Sequence, residues 1–327
     1  MNNPGSKRIK MNATNTSVTV RCPGTIANLV CGFDVLGLCL HEPYDIMHVR
    51  LLNEKKVVII PFTLLGNGGS TGYDLPTDPE NNTAGAPLLE MLAEIEENVG
   101  FEITIEKHIK PGSGVGSSAA SAAGAVVAAN HLLGNRFSKD DLVRFAMFGE
   151  KVASGVKHAD NIAPCIYGGV TLIRSIFPID IISIPAPPMY VTLVHPQIEV
   201  RTADARQILR KEVLLKDAIR QWGNIAGLVA GFMQNNYALI GRSLEDVIIE
   251  PVRSILIPGF NDVKKQCIEA GALGGGISGS GPSIFMLCQE EAIAKAVESI
   301  MKNVYTRIGI DYHTYVTTIN PKGIVVE

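Results

Sequence analysis

Apolar and polar positions along the chain change period several times, and each change predicts an element. Ser17-Val-Thr-Val-Arg21 alternates with period two and predicts a strand. A second extended region is expected from Asp45 to Ile60, with a turn near Asn53, followed by a loop-like stretch from Leu65 to Asn82. Between Asn82 and Val99 the period becomes helical, with Leu88, Leu89, Leu92 and Ile95 on one face, and Phe101 to Lys107 is again extended. A glycine-rich turn from Pro111 to Gly116 leads into a long helix of small residues from Ser118 to Leu133. Ser138-Lys-Asp-Asp141 has the spacing of a capping box and opens a further helix carrying Leu142, Phe145, Ala146 and Phe148. Gly168 to Arg174 and Ile179 to Ile184 predict strands.

Pro185-Ala-Pro-Pro188 cannot continue a central strand and marks a boundary between two lobes. Beyond it the pattern gives a strand from Tyr190 to His195, two or three helices within 203–239, and a helix from Phe260 to Ala270 stopped by Gly271. A strand from Ser283 to Cys288, a helix from Glu290 to Val304 and a strand from Asp311 to Ile319 complete it. The expectation is an α+β chain: a polar, flexible leader over 1–15, a mixed first lobe over 16–187, and a second lobe over 188–327 with helices on one face of an antiparallel sheet. No fixed-period repeat is present.

Composition changes this picture in a few respects. The chain has 327 residues, enough to bury a core without disulfides, and 46% of them are hydrophobic although only 6% are aromatic and 19% charged. With 29 basic against 32 acidic residues and no long run of either sign, nucleic acid is not an expected partner. The six cysteines contain no C-x-x-C pair, which argues for buried thiols in a reducing, cytoplasmic compartment rather than a zinc or redox site. No apolar run follows the basic residues near the start, so no secretory signal is expected. Pro111 to Asn135 carries no Asp, Glu, Lys or Arg and is long enough to span a bilayer, but glycine and serine fill its first half and predict a buried helix instead.

Four segments carry candidate chemistry. Pro111-Gly-Ser-Gly-Val-Gly-Ser-Ser-Ala-Ala-Ser121 follows a strand and opens a helix, so its glycines can bring backbone N–H groups to phosphate oxygens at the positive helix end. It matches neither the Walker nor the Rossmann pattern. Glu150, with Lys157-His-Ala-Asp-Asn161 downstream, offers one hard ligand for magnesium and several groups to orient a hydroxyl. Pro23 to Asp34 is an apolar segment interrupted by Asn28 and Asp34, and Gly274 to Ser283 is a second glycine-rich loop suited to close approach of a ligand or a neighbouring lobe. Thirteen of the 32 glycines fall within 24–37, 112–124 and 271–281. The glycine excess is thus concentrated where backbone would meet a small anionic molecule.

Together these segments resemble the GHMP kinase superfamily of small-molecule kinases across residues 17–320, and most closely its homoserine kinase branch. The branch motif P-x-x-x-A-N-x-G-x-G-F-D is met from Pro23 to Asp34 with Val30 in place of a glycine, the phosphate motif from Gly114 to Ala120 with Val115 in place of leucine, and S-G-x-G-P-[ST] from Ser278 to Ser283. The phosphate loop is one residue shorter before Gly114 than in many relatives. The resemblance implies a two-lobed GHMP fold, with a ribosomal-protein-like α/β lobe that binds ATP and a ferredoxin-like α+β lobe. It implies that Lys110, Pro111, Gly112, Ser113, Gly114, Val115, Gly116, Ser117, Ser118, Ala119 and Ala120 wrap the ATP phosphates, with Asn82 near the nucleotide. Ser117 or Ser118, with Glu150, would hold Mg2+. On the same basis Asp34 meets a substrate amine, Asn28 its hydroxyl, and Arg206 and Arg253 its carboxylate, while His158, Asp160 and Asn161 orient the hydroxyl and Asp160 is the candidate base. The implied activity is phosphorylation of the L-homoserine hydroxyl in threonine biosynthesis, by a homodimer. A mevalonate- or sugar-type kinase and a non-catalytic nucleotide sensor are the alternatives; two arginines count against the former, since a neutral sugar needs no carboxylate clamp.

Overall fold

The computed structural model describes residues 16–61, 75–200 and 202–327; the expected leader and residues 65–74 of the expected loop lie outside them. In the first lobe, β1 (Ser17–Ala27) pairs antiparallel with β2 (Leu36–Leu52), and β3 (Val57–Ile60) runs parallel to β4 (Gly100–Glu106), which itself borders β2. The hairpin of β5 (Val170–Ile176) and β6 (Ile179–Ile184) joins the start of β2. Alternation sets the faces: Val18, Val20 and Cys22 point into the core while Thr19 and Arg21 do not.

Against this sheet lie α1 (Gly85–Ala93), α2 (Ser117–Leu132), α3 (Lys139–Ser154) and the short α4 (Ile162–Tyr167). Helix α2 is buried on nearly every side, which its small residues permit. A Cβ on Gly124 would come 2.3 Å from Cys22 Sγ, and one on Gly149 of α3 would come 2.6 Å from the Ala122 Cβ. The charge-free stretch is therefore a close-packed core helix, and among the described residues no helix is long and apolar enough to cross a membrane. Ser138 and Asp141 form the expected capping box of α3.

The second sheet has the order β10-β7-β9-β8, built from β7 (Tyr190–Pro196), β8 (Gly274–Ile277), β9 (Ile284–Cys288) and β10 (Tyr312–Thr318), all antiparallel. The intervening helices are α5 (Thr202–Gln207), α6 (Leu215–Met233), α7 (Tyr237–Ser243), α8 (Glu250–Arg253), α9 (Phe260–Glu269) and α10 (Glu291–Ile308). Val194, Ile284, Met286 and Cys288 share a core with α9 and α10. The alternate residues Val191, Leu193, Phe285 and Leu287 belong to the larger core, which takes in α6, α7 and the first lobe, so the sheet is covered on both faces rather than one. The terminal β11 (Val325–Val326) returns to the first sheet and pairs with β1.

Two other expectations change. The helix foreseen over 82–99 is only α1: the Asn82 side chain accepts from the N–H groups of Ala84 and Gly85 and fixes its start, and the helix ends at Ala93 although Ile95 beyond it is still buried. Gly274 to Gly276 are not loop but strand: a Cβ on Gly275 would lie 2.0 Å from the Phe285 carbonyl oxygen, so glycine lets β8 lie close to β9.

Candidate active site

Gly112, Gly114 and Gly116 take φ of +75°, +81° and +70°, a left-handed alternation that L side chains resist. A Cβ on Gly114 would lie 2.7 Å from the Ser278 and Gly281 carbonyl oxygens, and one on Gly116 would lie 2.0 Å from Thr25 Oγ1. Gly116 precedes α2 without any side-chain cap, and the first intrahelical donor is Ala120 N–H to Gly116 O at 2.8 Å. The first-turn N–H groups of Ser117, Ser118 and Ala119 therefore have no partner within the helix, and with the helix dipole they can receive an anion. The second glycine-rich segment clasps this loop and also reaches the cavity: Ser278 Oγ donates to Gly114 O and Ser283 Oγ to Ser113 O, each at 2.7 Å, while Gly279 and Ser280 are lining residues.

Beneath the loop lies a buried ion pair that the sequence analysis missed. Lys107 Nζ donates to Asp45, to Ser117 O at 3.0 Å and to Ser121 Oγ at 3.2 Å, while the other Asp45 oxygen accepts the N–H groups of His108 and Ile109 at 2.7 and 2.8 Å. The signal was available. Phe101, Ile103, Ile105 and Lys107 share one face of an alternating strand, as do Asp45, Met47 and Val49, and a charge at a core-facing position needs a partner.

At the end of α3 the buried Glu150 accepts Ser118 Oγ at 2.7 Å and lies 3.2 Å from His158 Nε2; His158 Nδ1 is 2.8 Å from Asp160 Oδ1. Burial opposes charge on His158, but the hydrogen bond and attraction of Asp160, aided by Glu150 and Asp34, push its pKa up to about 9. Burial raises the Glu150 pKa, with His158 and Ser118 pulling the other way. Ser117 turns its hydroxyl to Ile109 O at 2.9 Å, so Ser118 is the serine placed against Glu150. Among the described residues no cluster of three or more His, Cys, Asp or Glu could hold a metal unaided. The oxygen donors of Glu150 and Ser118 beside a phosphate site nonetheless fit magnesium, which takes few protein ligands and completes its shell with phosphate and water.

The other end is built on strained backbone. Asn28, Leu29 and Val30 have consecutive φ of 73°, 41° and 66°, and Asp34 has 60°. Val30 thus adopts the left-handed geometry that the motif's glycine would take freely. Asn28 Nδ2 donates to Gly279 O at 2.9 Å and its Oδ1 accepts Asp34 N–H at 3.0 Å, so its amide shapes the loop. Arg206 donates to both Asp34 oxygens, at 2.8 and 3.1 Å. The buried Arg253 donates from Nε to Ala205 O at 3.0 Å and from a terminal nitrogen to Gly279 O at 3.2 Å. Burial and the neighbouring Arg206 bring the Arg253 pKa down to about 10, and burial with Asp160 raises that of Asp34 against the pull of Arg206.

One cavity of about 770 Å³ joins the two ends. Pro111, Gly112, Gly114, Gly116, Ser117 and Ser118 line one part, Glu150, His158, Asp160 and Asn161 the middle, and Asn28, Phe33, Asp34, Arg206 and Arg253 the far part. Asn161 Oδ1 accepts Thr25 Oγ1 at 2.8 Å, against the phosphate loop. Lys110, Ser113, Val115, Ala119 and Ala120 do not line it: Lys110 Nζ donates to Gln197 Oε1 at 2.7 Å, and the other four are buried in packing. Asn82 does line it, as do Leu75, Pro76, Val152 and Ala153, although its amide nitrogen donates to Pro76 O at 2.6 Å. Phe33, Lys107, Glu199 and Ser280 are lining residues that sequence reasoning had not singled out.

A capless helix behind a glycine loop, facing a charged pocket across a two-lobed α+β frame, defines a small-molecule kinase of the GHMP class. The family models for the GHMP kinase N-terminal and C-terminal domains match residues 83–169 and 225–307. The chain is 48% identical to a homoserine kinase of Chloroherpeton thalassium over 88% of its own length and 93% of the relative's. It is 41% identical to one of Methanocella arvoryzae over 94% and 96%. The crystal structure of homoserine kinase from Cytophaga hutchinsonii superposes with a TM-score of 0.90 at 45% identity, covering 98% of this chain and all of that one. L. major mevalonate kinase, at 15% identity and a TM-score of 0.68 over 98% of this chain and 100% of its own, shares the fold. The chain belongs to the homoserine kinase family.

Proposed function

We propose that the chain transfers the γ-phosphoryl group of ATP to the side-chain hydroxyl of L-homoserine, giving O-phospho-L-homoserine and ADP for threonine biosynthesis. The observation that carries this reading is the single cavity joining an uncapped helix N-terminus to an Asp34, Arg206 and Arg253 cluster. A zwitterion can exchange partners there: its ammonium takes Asp34 and its carboxylate takes the arginines, so no charge is left bare. A neutral sugar would leave the buried Arg253, whose hydrogen bonds run only to backbone carbonyls, without an anion, a costly arrangement.

With the amino-acid head held, the hydroxyl extends toward His158, Asp160 and Asn161. Its oxygen attacks the γ-phosphorus as the bond to the β,γ-bridging oxygen breaks, and its proton passes to Asp160 or to a phosphate oxygen. Positioning supplies most of the rate in such a transfer, and the N–H groups opening α2 stabilise the negative charge on the phosphates. Ser118 and Glu150 would hold Mg2+, which neutralises phosphate charge when bound. His158, between Glu150 and Asp160, keeps two buried carboxylates at compatible charge. The six cysteines, all buried and free, fit a reducing cytoplasmic setting, and assembly as a homodimer completes the reading.

A coupled ADP-release assay with L-homoserine, L-serine, mevalonate and galactose, with and without Mg2+, tests the proposal. Turnover is expected with homoserine, and only when Mg2+ is present. Homoserine turnover no higher than the blank overturns the reading, and turnover of mevalonate in its place moves the chain to another branch of the superfamily.

A further inference from the structure

We propose that Phe33 is a positioning residue whose ring holds both the Arg206 and the Arg253 guanidinium groups by cation–π attraction, set to receive a substrate carboxylate. This rests on the zwitterionic substrate proposed above. The Cζ of Arg253 lies 4.9 Å and that of Arg206 5.6 Å from the centroid of the one ring, both within cation–π range. Two like charges this close repel each other, and a ring face, electron-rich across its surface, is a neutral group that attracts both.

Other contacts do not do the same work. Asp34 holds Arg206 in the free protein, but its carboxylate is the group an incoming ammonium occupies, so that restraint weakens as substrate arrives. The ring contact carries no net charge and persists through the exchange. Among the described residues Arg206 Nε is moreover buried without a hydrogen-bond partner, a donor open to an acceptor. The backbone bearing Phe33 is fixed on both sides: the Asp34 N–H is tied to Asn28, and a Cβ on Gly32 would lie 2.4 Å from the Leu36 side chain.

The test compares Phe33→Leu and Phe33→Met, which keep apolar bulk, with Phe33→Tyr, which keeps the ring face. In the Leu and Met variants the KM for homoserine is expected to rise about tenfold, the equivalent of about 1.4 kcal/mol of lost cation–π attraction. The KM for ATP stays near the wild-type value and the Tyr variant restores homoserine KM. The inhibition constant of 3-aminopropan-1-ol, which is homoserine without its carboxylate, stays unchanged across the series. An unchanged homoserine KM in both aliphatic variants, equal losses for homoserine and the carboxylate-free analogue, or a Tyr variant as impaired as Leu would each overturn the inference while leaving the substrate assignment standing. Failure of the wild type itself to use homoserine removes the substrate reading instead, so the two failures are told apart.

Discussion

His158 and His195 are both largely buried, and their surroundings drive them in opposite directions. His158 faces Asp160 and Glu150 and is pushed up to about 9 despite burial. His195 is brought down to about 4, first by burial and then by the positive charges of Lys110 and His313; its Nδ1 accepts from Gln197 Nε2 at 3.1 Å, as a neutral ring can. A histidine held above its unfolded value of about 6.5 stabilises the fold below that pH and loses the contribution as pH climbs toward about 9. One held below it opposes protonation, so stability falls as pH drops from about 6.5 toward about 4, where the unfolded chain binds the extra proton. Urea unfolding followed against pH should therefore give a maximum near neutrality. His195→Asn should flatten the acid limb and His158→Asn the alkaline one. Limbs unchanged by both substitutions would show that neither histidine is linked to folding in this way.

Helix α2 owes its place to what its side chains lack and its opening turn to what lies under it. Alanine, glycine and serine let it pass between sheet and α3, while Lys107 and Asp45 tie β2, the end of β4 and the first turn of α2 into one unit. Removing one member leaves the other as an unpaired buried charge. Lys107→Met is expected to cost about 3 to 5 kcal/mol of stability, and Asp45→Asn with Lys107→Met together less than Lys107→Met alone. Chemical denaturation of the single and double variants reads this directly, and a Lys107→Met midpoint equal to wild type would mean that the pair is not a keystone of the element. The capping box of α3 was readable because it is local in sequence. The early end of α1 was not, since helical periodicity persists in residues such as Ile95 that are buried for reasons outside the helix.

For the whole molecule, an exposed apolar feature outside the cavity lies on α6, where Leu215, Ile219, Trp222 and Met233 fall on one stripe at 68%, 57%, 59% and 62% exposure. An apolar stripe of this kind suits a second copy of the chain packed across a two-fold axis. Sedimentation velocity is expected to return twice the 35.0 kDa protomer, with Trp222→Glu shifting the species to monomer; a wild-type monomer at working concentration overturns the dimer. At this scale the division between sequence and structure is clear in physical terms. Periodicity marked most strands and helices, and glycine spacing marked the phosphate loop, because both follow from backbone geometry over a few residues. Motif likeness pointed to Glu150, His158, Asp160 and the two arginines, although it left their partners open. Only the tertiary structure turned the Ser118 hydroxyl to Glu150 and that of Ser117 to Ile109, set the second glycine loop against the first, paired Lys107 with Asp45, and brought Phe33 within cation–π range of Arg206 and Arg253. Those choices depend on contacts between residues as much as 220 positions apart, from Phe33 to Arg253, and such contacts exist only once the sheets and helices have packed.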